Sequence, residues 1–327
     1  MGFPPVTTYN QHTVQHPVSC FGVGLHTGEP VHLSINPAAA NTGIHFVRTD
    51  LPGQPVISAG VEQVVTTTLA TTIGVGRDTV STTEHLLAAL SAKGVDNARI
   101  EVSSAEVPIM DGSAGPFIRL LDKAGLRCQD APRKVLRIIR PVAYSEGDKS
   151  IRIEPCNSFK VSARIQFDDE LIREQHYSLD VTPERFRNEV AFARTFGFVE
   201  QVEALWELGL ALGGTLDNVI AIHWNRKSVL NEGGLRFDNE FIRHKVLDII
   251  GDMALLGVPL QGHVIADRSG HGLHVSLLQT LLATPQAWEY ITPKQPAPVA
   301  ASASDSRFSP LFHLKPTMRA QATPCAL

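Results

Sequence analysis

Asp238-Asn239-Glu240-Phe241-Ile242-Arg243-His244-Lys245-Val246-Leu247-Asp248-Ile249-Ile250-Gly251-Asp252-Met253-Ala254-Leu255-Leu256-Gly257 is mostly apolar, yet His244, Asp248 and Asp252 recur at every fourth position. Residues four apart stack on one face of a helix, so these three form a polar stripe where the pattern calls for core. Asp238 or Asn239 suits the N-cap, and Gly257 with Pro259 suits the stop, which predicts a largely buried helix of about five turns. A charge buried without a partner is costly, and a metal ion is one partner. The plain alternative is the wet side of an amphipathic helix. Against it, a neutral imidazole and a carboxylate one turn apart suit a zinc ion.

A third ligand is offered by Ser81-Thr82-Thr83-Glu84-His85-Leu86-Leu87-Ala88-Ala89-Leu90, where Glu84 and His85 stand side by side at the first turn of a second predicted helix, 82–93. Ser81 and Glu84 fit a capping box, which by itself accounts for Glu84 structurally. His85 has no such account. At the positive end of a helix it can present a ring nitrogen to a metal while Glu84 faces bound water.

Around these two helices the chain divides into halves of similar plan. The first runs Pro17-Val18, a turn through Gly28, the alternating strand Val31-His32-Leu33-Ser34-Ile35 and Pro37; the second runs Pro141-Val142, a turn through Gly147, the strand Ser150-Ile151-Arg152-Ile153-Glu154 and Pro155. After each comes a helix with candidate ligands, 82–93 or 239–256, then a strand, 98–102 or 262–266, then a closing helix, 115–124 or 273–282. Strands paired locally and then covered by helices describe an α+β layered sandwich of two duplicated domains, with the helices packed face to face at the domain interface. Such an interface would bring Glu84 and His85 to His244 and Asp248. The expected divisions are 1–130, 131–292 with an inserted β-α-β unit at about 197–227, and a Pro-, Ala- and Ser-rich disordered tail at 293–327.

Composition sets outer bounds. With 327 residues, 43% hydrophobic and 19% charged, the chain can bury a sizeable core. A net charge of -4 argues against a dedicated nucleic-acid binder. The cysteines Cys20, Cys128, Cys156 and Cys325 are far apart and form no CxxC pair, which fits a reducing cytoplasm. No stretch approaches a membrane span and no targeting signal is recognised, so a soluble cytoplasmic monomer is expected, with peripheral contact at a membrane surface left open. Gly22, Gly24 and Gly28 do not make the dinucleotide fingerprint and read as turn glycines. Asp111 reads as a turn aspartate, and His26 receives no role.

The segments Gly22 to Gly28, Ser81 to Leu86, Val107 to Ser113, Ala193 to Phe198, Leu230 to Asp252 and Ser269-Gly270-His271 together resemble the UDP-3-O-acyl-N-acetylglucosamine deacetylase family, the zinc amidases of lipid A (lipopolysaccharide) biosynthesis in Gram-negative bacteria. The resemblance spans about residues 12–292. One departure is Thr83, where an apolar β-branched residue is expected. The resemblance implies zinc, with iron(II) also suited to such ligands, held by His85, His244 and Asp248. It implies Glu84 as general base, His271 as general acid oriented and kept protonated by Asp252, and oxyanion stabilisation by Thr195 and Lys245. Phe196 would line the substrate site, and the insert, with Val202, Leu205 and Leu208, would form a passage for the acyl chain. Without the resemblance His271 reads as an ordinary loop histidine, and Lys245 stays open between a stabilising charge and a solvated or snorkelling lysine. The reaction implied is hydrolysis of the N-acetyl amide of UDP-3-O-(3-hydroxyacyl)-N-acetylglucosamine. The alternatives are a zinc amidase on another acylated amino sugar, and a non-catalytic scaffold in which Glu84 closes the metal site as a fourth ligand.

Overall fold

A computed structural model describes residues 9–293, so the stretch from 294 onward, most of the expected tail, lies outside the described residues. The helices are α1 (Glu84–Lys93), α2 (Gly115–Ala124), α3 (Pro183–Glu189), α4 (Val202–Glu207), α5 (Glu240–Met253) and α6 (His271–Leu282). Alternation in Val31, Leu33 and Ile35 turns one face of Pro30–Pro37 into the core, and Ile151 and Ile153 do the same for Lys149–Glu154.

Each half builds a sheet of the same order. In the first, the strands lie Val18–Val23, Pro30–Pro37, Ala98–Val102, Ile44–Arg48, Val56–Ser58; in the second, Val142–Glu146, Lys149–Glu154, Leu260–Asp267, Phe159–Gln166, Glu174–Asp180. In both, a hairpin is followed at the centre by whichever of the five strands comes last in the chain, and it pairs parallel with the next neighbour. The registers match the sequence pattern: Ile35 faces Ile100 in one sheet, and Ile153 faces Val264 in the other. This is the two-domain α+β layered arrangement expected. The stretch 130–133, beside the expected division between the halves, takes in the end of Leu126–Pro132, which pairs antiparallel with Asn10–Val14. Val135–Ile138 and Trp288–Ile291 pair with each other and extend the second sheet.

Helices α5 and α6 lie on the second sheet, α2 packs on α1 and on the first sheet, and α1 crosses α5. Eight residues of α1 and twelve of α5 are buried, as expected of helices enclosed on every side. The crossing is close because Gly251 has no side chain: a Cβ there would lie 2.0 Å from the Glu84 carbonyl oxygen. Phe46, Phe117, Phe186 and Phe241 are fully buried in the common core. Each contributes roughly 1.5–3 kcal/mol.

Helix ends differ from expectation. Helix α5 has 14 residues and continues as a 3-10 turn, Ala254–Leu256, before Gly257 stops it at φ 71°. Neither Asp238 nor Asn239 caps it through its side chain; Asn239 instead accepts from Arg243 Nε at 2.6 Å. The inserted unit is present as Phe196–Phe198, a 3-10 turn, α4 and Ile220–Ile222, the two strands being parallel. Among the described residues no helix is long and apolar enough to cross a membrane.

Candidate active site

The crossing of α1 and α5 sets the first residues of α1 against the polar stripe of α5. His85 Nε2 lies 3.6 Å and His244 Nε2 3.4 Å from the same atom, Asp248 Oδ1. The two imidazoles meet edge to face, 4.9 Å between centroids. His244 Nδ1 is 3.1 Å from the Ala193 carbonyl, which can only accept, so Nδ1 carries the proton and Nε2 keeps its lone pair for the site. Burial holds His244 down to about 3, hence neutral. Asp248 Oδ1 is buried and without a hydrogen-bond partner, while Oδ2 accepts from Lys245 Nζ at 2.5 Å. Despite burial, neighbouring positive charge, the Lys245 ammonium in contact with Oδ2 above all, keeps the Asp248 carboxyl well below the usual range. Two imidazole nitrogens, that of His244 with its lone pair fixed toward the site, and an orphaned carboxylate oxygen converge in a buried place and fit a cation, and these ligand atoms lie within 4.8 Å of one another.

Glu84 does not close a capping box. The N-cap of α1 is Thr83, which makes no side-chain cap, and Ser81 Oγ accepts from Thr72 Oγ1. Glu84 turns inward: Oε2 accepts the Thr71 N–H at 3.1 Å and Oε1 lies 3.8 Å from His271 Nε2. Burial raises its carboxyl above the ordinary value, against the pull of His271. Glu84 is outside the trio whose ligand atoms converge, so nothing in its placement makes it a fourth ligand.

His271 is the first residue of α6, not a loop residue. Its Nδ1 is 2.7 Å from Asp252 Oδ2. Burial works against a charged ring, but the Asp252 carboxylate outweighs it and raises His271 from 6.5 to about 9. Asp252 is itself fully buried, behind His271; Oδ2 also receives His274 Nδ1 at 2.7 Å, and Oδ1 receives the Thr71 hydroxyl at 2.6 Å. Asp252, His271 and His274 are close enough for a second metal site. Both rings spend Nδ1 on the carboxylate, however, and His274 Nε2 meets Ser269 Oγ at 2.8 Å, which makes this a proton network. Sequence reading gave no role to His274 or to Thr71, which stands in the threonine-rich run Thr66-Thr67-Thr68-Leu69-Ala70-Thr71-Thr72 with nothing to single it out.

The remaining expected residues line the same cavity, of about 680 Å³: Thr195, Phe196 and Lys245, together with Glu84, His85, His244, Asp248 and His271. Lys245 opens to it with 22% of its side chain exposed, and burial notwithstanding, Asp248 keeps its ammonium pKa raised. Phe196 stands edge-on to Phe241 at 5.0 Å and faces His244 at 6.3 Å. Two buried carboxylates that sequence reading missed brace the walls. Glu240 accepts from Arg194 N and Nε, both at 2.9 Å, fixing the Ala193–Thr195 backbone. Glu106 accepts from Thr27 N at 2.9 Å and Thr82 Oγ1 at 2.8 Å, tying the His26 turn to the residues before α1.

A second cavity, about 350 Å³, shares Leu25, His26, Leu69, Thr195 and Phe196 with the first and continues under the insert between Phe198, Val202, Leu205, Leu216 and Val219. Of the expected apolar trio, Val202 and Leu205 line it, whereas Leu208 is 74% exposed because the helix ends before it. Asp111 is a turn aspartate as read, its Oδ1 accepting from Ser113 N and Oγ. Of the glycines at 22, 24 and 28, only Gly28 has positive φ; Gly24 packs where a Cβ would meet Glu106 at 2.3 Å.

Residues 11–283 match the family model described as UDP-3-O-acyl N-acetylglycosamine deacetylase. A UDP-3-O-acyl-N-acetylglucosamine deacetylase of Nitratidesulfovibrio vulgaris is 50% identical over 272 residues, 83% of this chain and 87% of its own. One of Acidithiobacillus ferrooxidans is 47% identical over 283 residues, covering 86% and 92%. That of Hahella chejuensis is 44% identical over 310 residues, covering 94% and 99%.

Proposed function

Because the chain belongs to the UDP-3-O-acyl-N-acetylglucosamine deacetylase family, we propose that its central cavity hydrolyses the N-acetyl amide of UDP-3-O-(3-hydroxyacyl)-N-acetylglucosamine, with zinc as the metal. It is a metal-dependent amidohydrolase of lipid A biosynthesis. The observation that carries the site assignment is the convergence of His85 Nε2, His244 Nε2 and the orphaned Asp248 Oδ1 beside two proton-handling groups, Glu84 and His271, on one cavity.

His85, His244 and Asp248 would hold the metal. When bound, zinc with three protein ligands supplies Lewis acidity and lowers the pKa of a water in its open position. Glu84 takes the proton from the water that attacks the acetyl carbonyl. Thr195 and the Lys245 ammonium stand in the cavity wall to stabilise the oxyanion. His271, kept charged by Asp252, gives its proton to the departing amine, so that amine and acetate leave. The apolar cavity beneath the insert takes the acyl chain, and Phe196 sits where the two cavities join. Lys149 and Arg268, which line the first cavity but not the second, supply charge suited to a diphosphate. The halves 1–130 and 131–292 belong to the same proposal as duplicated domains, as does a monomer working in the cytoplasm. Cys20, Cys128 and Cys156 are unpaired, in keeping with reducing surroundings.

The test compares the protein with Glu84→Ala for metal content and acetate release from acylated UDP-N-acetylglucosamine. Acetate release by the unaltered protein, with the variant holding one metal and losing most activity, upholds the reading. Loss of metal from the variant, or no acetate from the unaltered protein, overturns it.

A further inference from the structure

Thr71 has no exposed surface and lies just before the strand Thr72–Val75, yet its polar atoms are spent on the catalytic groups and on the residue before Glu84. Its N–H donates to Glu84 Oε2 at 3.1 Å. Its carbonyl accepts from Thr83 N at 3.3 Å and Thr83 Oγ1 at 3.1 Å, the residue directly before Glu84. Its hydroxyl is 2.6 Å from Asp252 Oδ1 and 3.2 Å from His271 Nδ1.

We propose that Thr71 is the positioning residue that joins base and acid into one unit and decides which oxygen of Glu84 takes the proton. The inference rests on the roles given above to Glu84 and His271. A carboxylate oxygen already accepting a hydrogen bond is the weaker base, so the Thr71 N–H leaves Oε1, the oxygen nearer His271, to act. The hydroxyl has one proton and the Asp252 carboxylate can only accept, so Thr71 donates to Oδ1. That bond sets the rotation of the carboxylate and hence the direction in which Oδ2 holds His271 Nδ1–H. The ring is thereby aimed with Nε2 toward Glu84 and the cavity. Thr82, at φ 56°, is a β-branched residue in the left-handed region. The chain pays this strain immediately before Thr83 turns back to the Thr71 carbonyl.

Thr71→Val keeps the shape and the backbone bonds and removes only the hydroxyl, while Thr71→Ser keeps the hydroxyl. In the metal-loaded full chain, Thr71→Val is expected to lower kcat about 10- to 100-fold, part of what a positioned acid contributes. KM should stay within about twofold, metal content should not change, and Thr71→Ser should recover kcat to within about threefold. In a His271→Ala background, where the hydroxyl has nothing left to aim, adding Thr71→Val should cost less than about twofold. Unaltered kcat in Thr71→Val overturns the proposal, as does a full extra loss in the His271→Ala background. Equal loss of metal or fold in both Thr71 variants overturns it too, since the contacts are then structural. If Glu84→Ala and His271→Ala themselves retain activity, it is the assignment of base and acid that fails.

Discussion

Asp252→Asn separates charge from shape at the acid. The amide can place its oxygen toward the two imidazoles and its NH2 toward the Thr71 hydroxyl oxygen, so the hydrogen bonds seen at Asp252 survive and only the charge goes. Burial works to lower the His271 pKa and the Asp252 carboxylate reverses this, raising it from 6.5 to about 9. That rise corresponds to roughly 3 kcal/mol favouring the charged ring. A group that must donate a proton acts below its pKa, so activity falls as pH rises through the folded value. At pH 8 a histidine titrating at 9 is about 90% protonated and one at 6.5 about 3%, a ratio of roughly 30. In the variant burial still lowers the value, opposed only by the Glu84 and Asp248 carboxylates. A bound dication lowers both values and leaves the order unchanged. In kcat/KM against pH, the variant should lose about 30-fold at pH 8, with the gap closing about tenfold or more by pH 6. Its metal content should stay at one per chain. A loss of the same size at every pH would refute the argument, because Asp252 would then act by orientation alone.

Gly251→Ala places a methyl 2.0 Å from the Glu84 carbonyl oxygen, a backbone atom that cannot turn aside, so α1 and α5 must part. A stability loss of about 1–3 kcal/mol in denaturant unfolding is expected, with faster release of metal to a chelator; no change in either would mean that the crossing is not what holds the ligands together. Leu205→Trp fills the cavity under the insert, and KM should rise at least ~10-fold for a long-acyl substrate with little change for a short-acyl one. Equal effects on both substrates would remove the acyl chain from that cavity.

The fold was legible where one periodicity dominates. Helices α1 and α5 are apolar on nearly all sides, and their few polar residues were conspicuous because a buried helix has no other use for them. The repeated strand order followed from two matching runs of hairpin, helix, strand and helix. What could not be read is what the chain brings together over distance. Thr71 meets Asp252 across 181 positions and Thr82 meets Glu106 across 24. No local pattern encodes either contact. Glu84 shows the opposite failure: its local signal, a capping box with Ser81, was a good one, and tertiary structure overrode it when Thr71 supplied the donor instead. His271 looked like a loop histidine because Gly270 and Gly272 flank it, yet α6 begins at that residue.

The buried carboxylates support the proposal that a metal sits with His85, His244 and Asp248 rather than elsewhere. Glu106 and Glu240 are fully buried and filled by backbone N–H groups, a threonine hydroxyl or a guanidinium. Asp252 is filled by two imidazoles and the Thr71 hydroxyl. Each is at rest, because a buried carboxylate with two or more good donors has recovered what it lost on leaving water. Asp248 differs: Lys245 satisfies Oδ2, while Oδ1 faces two Nε2 atoms and has no donor. His244 is fixed with its proton on Nδ1, so its Nε2 also offers a lone pair. The His244 lone pair and the charged Oδ1 repel one another, since burial keeps His244 neutral with its proton on Nδ1 while neighbouring charge keeps Asp248 ionised. A cation is the species that turns this arrangement from a cost into a binding site.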